Sequence, residues 1–349
     1  MEKTYFGKLK DGTDVYQYAF TNQNKVTLKL IDLGAIWTDL LVPDRDGVLR
    51  NVVLGYDTPQ EYVDNGCYFG AVIGRSGNRI DKGHFVINGK DYQLAINDNE
   101  NNLHSGPSTY QNRKWAVKAI DEEKNSICFG LFSPDGDQGY PGNLEVTVTY
   151  TLTEDNEVIL HYEGVSDADT TVNMTNHVYF NLDGHDSGSI ENHTMQIFAD
   201  YYNAVRDGQA IPTGEMTPVA GTPMDFRAPK TIGQDIRADF DQLKYVLGYD
   251  HNYVLRGKTG IRKQMAEVKA AKSGITMEAY TQCCAMQFYA GNCINEHGGR
   301  GGVTYVPRTG FCLESQYCPN AINQEGFERP LLKAGEKYDS TTSYKFICK

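Results

Sequence analysis

Residues Leu144–Leu152, with the sequence LEVTVTYTL, give the clearest indication of the fold class, because apolar and polar side chains alternate along them. Val146, Val148 and Tyr150 fall on one face of an extended chain, and the threonines between them fall on the other. A short polar turn follows, and Glu157–Val165, EVILHYEGV, repeats the alternation. Such alternation is typical of strands with one buried face, and two runs around a turn predict an antiparallel hairpin.

The same pattern recurs along the chain. Gly83–Ala95, GHFVINGKDYQLA, predicts a second hairpin, because its Asn88-Gly89 pair suits the positive φ angles of a type I′ turn. Further strands are predicted at Val26–Leu33, Ser126–Phe132, Thr194–Ala199 and Ile275–Tyr289. Helical periodicity is confined to Thr58–Asn65 and part of Ile232–Gln242. An all-β fold of antiparallel strands, either a sandwich or a barrel, is therefore predicted.

No boundary divides the chain. Its 349 residues contain no linker rich in proline or serine, no internal repeat and no abrupt change of composition. One continuous domain spanning residues 1–349 is therefore predicted. The loop-rich stretch Arg206–Asp250 is predicted to be an excursion from that domain, and long ordered loops often carry function.

Charge and composition argue against several classes of partner. The net charge of −12 and the pI near 5.1 predict a surface that repels nucleic acid and anionic membranes. The polar N-terminus shows no signal-peptide pattern, and no apolar run approaches the ~18 residues of a membrane span. The eight cysteines form no CxxC pair, which indicates reduced thiols and a cytoplasmic location.

Two residues are candidates for proton transfer. Glu314 interrupts an apolar, strand-like run, FCLESQ, where a partly buried carboxyl group has a raised pKa and suits a general base. His177, in TNHVYFNL, is suited to lend and recover a proton near neutral pH. Taken singly, an outward-facing strand glutamate and a hydrogen-bonded core histidine explain the two residues at least as well.

Three further polar residues are candidates for ligand binding. His104 lies in a predicted loop, Arg79 offers a planar fork of donors, and Asp250 offers two acceptors. A solvated loop histidine and two structural ion-pair partners are the alternatives. The chain has no GxSxG, Walker A or dinucleotide motif, and its histidines lack metal-ligand spacing, so neither a metal nor a cofactor is predicted. The stretch 298–302, GGRGG, is predicted to be a flexible loop.

Five short segments occur in an order that is more specific than any one of them. They are GRSGNRI, NLHSGP, NHVYFNLDG, GYDHNYVL and CLESQ, at Gly74–Ile80, Asn102–Pro107, Asn176–Gly184, Gly248–Leu255 and Cys312–Gln316. Three longer runs accompany them, at Ser133–Thr153, Pro212–Arg227 and Met286–Asn292. Through these segments, the chain from residue 6 to residue 346 resembles the aldose 1-epimerase, or galactose mutarotase, family.

The resemblance implies an antiparallel β-supersandwich and an enzyme that interconverts the α and β anomers of free aldohexoses, galactose or glucose. By position, Glu314 matches the catalytic base and His177 matches the catalytic acid. The implied sugar-binding and pocket-lining positions are Asn78, Arg79, His104, Tyr179, Asp250 and Gln287. No cofactor is implied, and the expected partner is a monosaccharide bound by a monomer or a homodimer.

Departures from the family pattern leave both proton-transfer groups in place; they are Ser76-Gly77, Ser105, Ser315 and Asn320. Two alternatives stay open. A mutarotase for a phosphorylated sugar would need an additional basic cluster, and the sequence shows none. A non-catalytic carbohydrate-binding β-sandwich would keep a polar platform but would not need Glu314 and His177.

Overall fold

The computed structural model describes residues 1–348, and its regular structure consists mainly of strands. The first fourteen strands are β1 (Glu2–Lys8), β2 (Asp14–Thr21), β3 (Thr27–Ile31), β4 (Trp37–Pro43), β5 (Leu49–Asn51), β6 (Val72–Ile73), β7 (Arg79–Ile80), β8 (His84–Ile87), β9 (Lys90–Gln93), β10 (Asn102–Leu103), β11 (Ala116–Asp121), β12 (Ser126–Ser133), β13 (Leu144–Leu152) and β14 (Glu157–Ser166). The others are β15 (Thr170–Thr171), β16 (Thr175–Asn176), β17 (Thr194–Ile197), β18 (Ala199–Tyr202), β19 (Thr217–Pro218), β20 (Lys230–Thr231), β21 (Asp250–Leu255), β22 (Lys263–Lys269), β23 (Ile275–Thr281), β24 (Ala285–Tyr289), β25 (Cys312–Gln316), β26 (Leu331–Leu332) and β27 (Lys337–Cys348). Two short α-helices are α1 (Pro59–Asp64) and α2 (Asp241–Tyr245). Within residues 1–348, no helix has the length and apolar character needed to cross a membrane.

The longer strands form three antiparallel sheets. The largest has nine strands in the order β11-β12-β13-β14-β27-β23-β22-β17-β20. A second sheet contains β1 to β5 in sequence order. The third, here termed the site sheet, has the order β19-β18-β21-β24-β25. The last strand of the chain, β27, lies inside the nine-stranded sheet, between β14 and β23.

Both predicted hairpins are present. The hairpin that begins with Leu144–Leu152 consists of β13 and β14, and its register places Val148 opposite Tyr162 with both side chains buried. The second consists of β8 and β9, with Asn88 and Gly89 at φ angles of 52° and 74° in the turn. The alternation in the sequence therefore predicted which faces of these strands are buried.

A large hydrophobic core joins the sheets. Trp37 of β4 packs edge-on against Phe180, with the ring centroids 5.7 Å apart. Phe180 in turn lies 5.0 Å from Tyr344 of β27, and all three rings are buried. Because Phe180 follows His177 by three residues, the core also holds the segment that carries this histidine.

Two predicted strands are each divided in the structure. Ile275–Tyr289 comprises β23 and β24, and Thr194–Ala199 comprises β17 and the first residue of β18. At both breaks the chain leaves the nine-stranded sheet and enters the site sheet. Alternation did not reveal the breaks, because it records which side chains are buried and not which strand is the partner.

The helix predicted within Ile232–Gln242 is wrong in position. Helix α2 begins only at Asp241, and the residues before it form isolated turns, such as the one closed by the bond from the Ala238 N–H to the Asp235 carbonyl oxygen. Isolated i to i+3 bonds satisfy the backbone locally without starting a helix. Helix α1, by contrast, falls within the predicted Thr58–Asn65.

Two predicted loops differ in outcome. The excursion Arg206–Asp250 is loop-rich, as predicted: it contains the short elements β19, β20 and α2 and ends at the first residue of β21. The stretch 298–302 was predicted to be flexible, but Arg300 anchors it to β4. Its Nη2 donates to the Thr38 carbonyl oxygen at 2.7 Å, and its Nη1 lies 3.1 Å from Asp39 Oδ1. These partners are remote in sequence, so the local glycine content did not indicate the anchor.

Candidate active site

The site sheet has one apolar and one polar face. Phe288 of β24 and Leu313 of β25 point into the hydrophobic core. Side chains at alternate positions therefore point the opposite way, and the register aligns them across the three strands. The two aligned rows are Asn252-Gln287-Glu314 and Asp250-Tyr289-Cys312. This polar face forms one side of a cavity.

Glu314 is buried on that face, with only 3% of its surface exposed. Among the described residues, its Oε2 atom has no hydrogen-bond partner. Beside it, Gln287 Nε2 donates to Asp250 Oδ1 at 2.7 Å. A buried carboxyl oxygen without a partner is costly, so Glu314 is placed to bind a hydroxyl group of a ligand.

Two turns outside the site sheet carry Asn78 and His104. The turns adjoin the paired strands β7 and β10, and the φ angles of Asn78 and His104 are 57° and 52°. The Asn78 N–H donates to His104 Nδ1 at 3.1 Å, and the His104 N–H donates to the Asn78 carbonyl oxygen at 3.0 Å. These reciprocal bonds lock the turns together. Because Nδ1 accepts, the neutral His104 ring carries its hydrogen on Nε2.

Arg79 is held in one orientation by an acidic neighbour. Its Nε donates to Asp98 Oδ2 at 2.7 Å, and both side chains are mostly buried. The bond uses the side of the guanidinium group nearest its stem. The two terminal nitrogens are therefore the donors left for a ligand.

Aromatic rings hold His177 against the opposite side of the cavity. Its ring stacks on Tyr179 with centroids 5.0 Å apart and meets the edge of His104 at 5.2 Å. Its Nδ1 lies 3.5 Å from Cys312 Sγ. Its Nε2 lies 3.8 Å from Glu314 Oε1, which is too long for a direct hydrogen bond. The two groups can therefore act on neighbouring atoms of one ligand.

All of the predicted site residues line one cavity of about 180 Å³. They are Asn78, Arg79, His104, His177, Tyr179, Asp250, Gln287 and Glu314. The volume is below the ~300–1,000 Å³ that is usual for drug-sized ligands. A cavity of this size and polarity suits a single small polar molecule.

Several lining residues were missed by the sequence analysis; they are Gly66, Tyr68, Leu103, Tyr289 and Cys293. Tyr68 covers both histidines, with its ring 5.1 Å from His104 and 5.7 Å from His177. Nothing in its short polar loop marks it, because its contacts come from remote segments. Tyr289 could have been found, since it follows Gln287 by two residues and so shares its face of β24.

Burial controls the protonation of the two central groups. It raises the pKa of Glu314 well above the usual carboxyl range, and the nearby Asp250 carboxylate adds to the rise. Burial also lowers the pKa of His177 to about 4. With that pKa His177 is neutral near pH 7, so its 3.8 Å approach to Glu314 is not an ion pair, and burial shifts Glu314 toward its neutral form as well.

The same groups do not fit a metal ion. Ligand atoms of His104, His177 and Glu314 lie within 4.8 Å of one another, a spacing that a metal site could use. Coordination through His104 Nε2 would require the ring hydrogen on Nδ1, yet Nδ1 accepts the Asn78 backbone N–H. His104 is therefore a hydrogen-bond donor toward the cavity. The set fits a neutral ligand rich in hydroxyl groups.

A larger cleft of about 640 Å³ lies elsewhere and lacks this chemistry. Its cations are already paired with carboxylates: Arg227 with Asp225, Lys230 with Asp235, and Arg256 with Asp200. It contains no histidine or cysteine among its described lining residues. The smaller cavity is therefore the candidate active site.

The chain is similar over nearly its whole length to known proteins. Residues 16–345 match the family described as aldose 1-epimerase. Human galactose mutarotase is 41% identical over 345 residues, which cover 99% of this chain and 98% of that protein. The aldose 1-epimerase of Escherichia coli strain K12 is 39% identical over 339 residues, covering 97% of this chain and 96% of that protein.

The fold has close counterparts among solved structures. An aldose epimerase homologue from C. elegans superimposes with a TM-score of 0.88 at 28% identity, covering 95% of this chain and 98% of that one. The antiparallel β-supersandwich predicted from the sequence is confirmed.

Proposed function

Because the chain belongs to the aldose 1-epimerase family, we propose that it interconverts the α and β anomers of free aldohexoses by opening and closing the sugar ring. One observation carries the proposal. The buried Glu314 and His177 face each other across 3.8 Å within a cavity lined by hydrogen-bonding groups. That arrangement provides two proton-transfer groups for adjacent atoms of one small ligand.

The reaction requires one proton to be removed and another to be supplied. Glu314 takes the proton of the anomeric hydroxyl, and His177 gives a proton to the ring oxygen as the C1–O5 bond breaks. The open-chain aldehyde rotates about its C1–C2 bond and closes on the other face, with both proton transfers reversed. No electrons are transferred to or from the sugar, so these steps need no redox cofactor.

The reactive charge state is one proton transfer away from the state that burial favours. Neutral Glu314 with neutral His177 holds the same number of protons as a Glu314 carboxylate with a His177 imidazolium. The exchange between the two states therefore needs no proton from solvent. A bound sugar stabilises the charged state, because its hydroxyl donates to the carboxylate and its ring oxygen accepts from the imidazolium.

Neighbouring side chains orient the sugar. Arg79 and the Nε2–H of His104 donate to hydroxyl oxygens, while Asp250 accepts from hydroxyl groups and is braced by Gln287. The binding set is completed by Asn78 and Tyr179. Holding the anomeric hydroxyl against the base and the ring oxygen against the acid lowers the entropic part of the barrier.

The cavity favours a free sugar over a phosphorylated one. Among the described lining residues, Arg79 is the only Lys or Arg, and Asp98 already pairs with it. Carboxyl groups at Asp250 and Glu314 would repel a phosphate when ionised. The human relative is named for galactose and the bacterial one for aldoses. Galactose and glucose are therefore the proposed substrates.

The proposed unit is one domain, residues 1–349, that acts as a monomer or a homodimer in the cytoplasm. This chain supplies both proposed proton-transfer groups and all of the proposed sugar-binding side chains. All eight cysteines lie within the described residues and none is paired, which suits a reducing compartment.

Polarimetry of freshly dissolved α-D-galactose and α-D-glucose tests the proposal. We expect the wild type to accelerate relaxation, and Glu314→Gln and His177→Asn each to lower the rate by ~10²–10⁴-fold because each removes one proton-transfer group. Glu278→Gln, on β23 and outside the cavity, is the matched control and should keep the wild-type rate. Near-wild-type turnover by Glu314→Gln would exclude Glu314 as the base.

Two further outcomes separate the alternatives. A wild type that binds galactose but does not accelerate relaxation would indicate a non-catalytic carbohydrate-binding protein. Glucose 6-phosphate is expected not to compete with galactose, because the described lining residues of the cavity include no free cationic cluster for the phosphate. Competition near the KM for galactose would instead favour a phosphosugar substrate.

A further inference from the structure

Gln316 lies beside the cavity without lining it. It follows Glu314 by two residues on β25, so the two side chains share one face of the strand. Gln316 is 0% exposed and is not among the cavity-lining residues. A fully buried amide must be satisfied by protein groups, and the partners of this amide include two residues of the candidate site.

The amide of Gln316 connects three other amide side chains. Its Nε2 donates to Asn252 Oδ1 at 2.8 Å and to Gln287 Oε1 at 3.3 Å. Its Oε1 accepts from Asn78 Nδ2 at 3.3 Å. Gln287 and Asn78 both line the cavity, so one buried residue contacts sugar-binding positions on the site sheet and on the β7 turn.

These hydrogen bonds allow each amide group only one orientation of its oxygen and nitrogen. Because Gln316 Nε2 occupies the oxygen of Gln287, the Gln287 nitrogen must turn away, and it donates to Asp250 Oδ1 at 2.7 Å. Asn252 cannot reverse its own amide freely, since its nitrogen donates to Asn203 Oδ1 at 2.7 Å. The bond to Asn252 therefore fixes the orientation of the Gln316 amide. The Gln316 amide in turn fixes the orientation of the Gln287 and Asn78 amides.

We propose that Gln316 is a positioning residue that fixes the donor and acceptor orientation of Gln287 and Asn78, and through Gln287 holds the Asp250 carboxyl group for the sugar hydroxyls. This inference rests on the proposed function, because it assigns the oriented groups to sugar binding. Gln316 touches neither the sugar nor the reacting atoms. Its effect is on sugar binding, while the Glu314–His177 pair stays in place.

Two substitutions of Gln316 test the hydrogen bonds that its amide nitrogen donates and the one that its amide oxygen accepts. Gln316→Met keeps the approximate size and removes every hydrogen bond. Gln316→Glu keeps an acceptor for Asn78 but, when ionised, loses the donor to Asn252 and Gln287. Gln111→Met is the matched control, because Gln111 is also a buried glutamine that donates to a backbone carbonyl, that of Tyr62, away from the cavity.

We expect Gln316→Met to raise the KM for galactose by about tenfold to a hundredfold, with a smaller change in kcat, because oriented binding groups are lost. Gln316→Glu should raise KM in the same direction. Gln111→Met should lower the melting temperature as Gln316→Met does, yet leave KM unchanged. If Gln316→Met fails to fold, Gln316→Glu alone carries the test.

The same assay distinguishes a failure of the proposed role of Gln316 from a failure of the proposed function. An active wild type with KM unchanged in the folded Gln316 variants would overturn the role of Gln316 and leave the proposed function standing. An equal rise of KM in Gln111→Met would also overturn it, because the effect would then follow lost stability. A wild type inactive on galactose and glucose would overturn the proposed function and this inference with it.

Discussion

At Glu314 and His177, burial determines the pH range in which the pair holds the single transferable proton that the reaction needs. A second proton joins the pair only as the pH falls through the pKa of His177, which burial lowers from 6.5 to about 4. The single proton leaves only above the usual carboxyl range, because burial raises the pKa of Glu314. Both shifts widen the range in which the pair has its working proton count.

We therefore expect the profile of kcat/KM for galactose to have an acid limb near pH 4, below the ordinary pKa of histidine, and an alkaline limb displaced above the ordinary pKa of glutamate. Polarimetric rates from about pH 3 to about pH 10 would measure both limbs. Circular dichroism at each pH distinguishes titration of the pair from unfolding. An acid limb centred at the ordinary histidine value of 6.5 would contradict the effect of burial on His177.

Ser76 and Ser105, which the resemblance suggests are departures from the family pattern, are hydrogen-bonded to each other. The Ser76 N–H donates to Ser105 Oγ at 2.9 Å, and the Ser105 hydroxyl lies 2.9 Å from the Ser76 carbonyl oxygen. The same hydroxyl lies 2.9 Å from that of Tyr140. Neither serine lines the cavity. They therefore support the turns that carry Asn78 and His104 and are not among the groups proposed to touch the sugar.

The segment that carries His177 is bonded to Gly70, a turn residue just before β6. The Gly70 N–H donates to the His177 carbonyl oxygen at 3.0 Å, and the Gly70 carbonyl oxygen accepts from the Trp37 N–H at 2.9 Å and from Asn176 Nδ2 at 2.8 Å. Gly70 has a φ angle of 66°, and an added Cβ would overlap the Trp37 carbonyl oxygen. The backbone of Gly70 therefore spaces β4 from the segment that carries His177.

Gly70→Ala is expected to lower the free energy of unfolding by about 3 kcal/mol or more, because a positive φ angle and a backbone overlap act together. The activity of the folded fraction should also fall, since His177 would shift. Urea denaturation followed by circular dichroism measures the first effect. Gly12→Ala is the matched control: its φ angle is 92° with open space around it, so only ~1–2 kcal/mol should be lost. Equal losses in the two variants would rule out the overlap.

Elements whose evidence is local could be predicted from the sequence. The hairpin of β13 and β14 combines two alternating runs with a short turn, which specifies both the strands and their pairing. The breaks within Ile275–Tyr289 and Thr194–Ala199 could not be predicted, because they occur where the chain exchanges partners between sheets. Pairing with remote strands leaves no mark in the neighbouring residues.

Some residues of the candidate site could likewise be predicted from the sequence, and others could not. Eight of its lining residues were predicted because their segments occur in a recognisable order, and the structure brings them to one cavity, whereas five other lining residues were not predicted. Gln316 was missed, although it stands in the same segment as Glu314. Its importance lies in bonds to Asn78, Asn252 and Gln287, which come from three separate parts of the chain. Only the assembled fold shows that these amides meet.

The last strand, β27, connects two strands of the nine-stranded sheet and also packs against the second sheet. β27 pairs with β14 on one side and with β23 on the other, and its Tyr344 packs in the core against Trp37 of the second sheet. Trp115, just before β11, belongs to the same core cluster. The two tryptophans of the chain thus lie in one core, Trp37 in β4 of the second sheet and Trp115 next to β11 of the nine-stranded sheet.

This arrangement predicts that the proposed single domain unfolds as one unit. In urea, the fluorescence transition of Trp37→Phe, which reports on Trp115, should coincide with the far-UV circular dichroism transition of the same variant. Trp115→Phe, which reports on Trp37, should show the same coincidence, because neither sheet can lose its inner face without exposing the shared core. The midpoints of the two variants can differ, since each substitution changes packing, so each variant is its own control. A fluorescence transition separated from the dichroism transition in either variant would show that one sheet unfolds independently, and the chain would then comprise more than one folding unit.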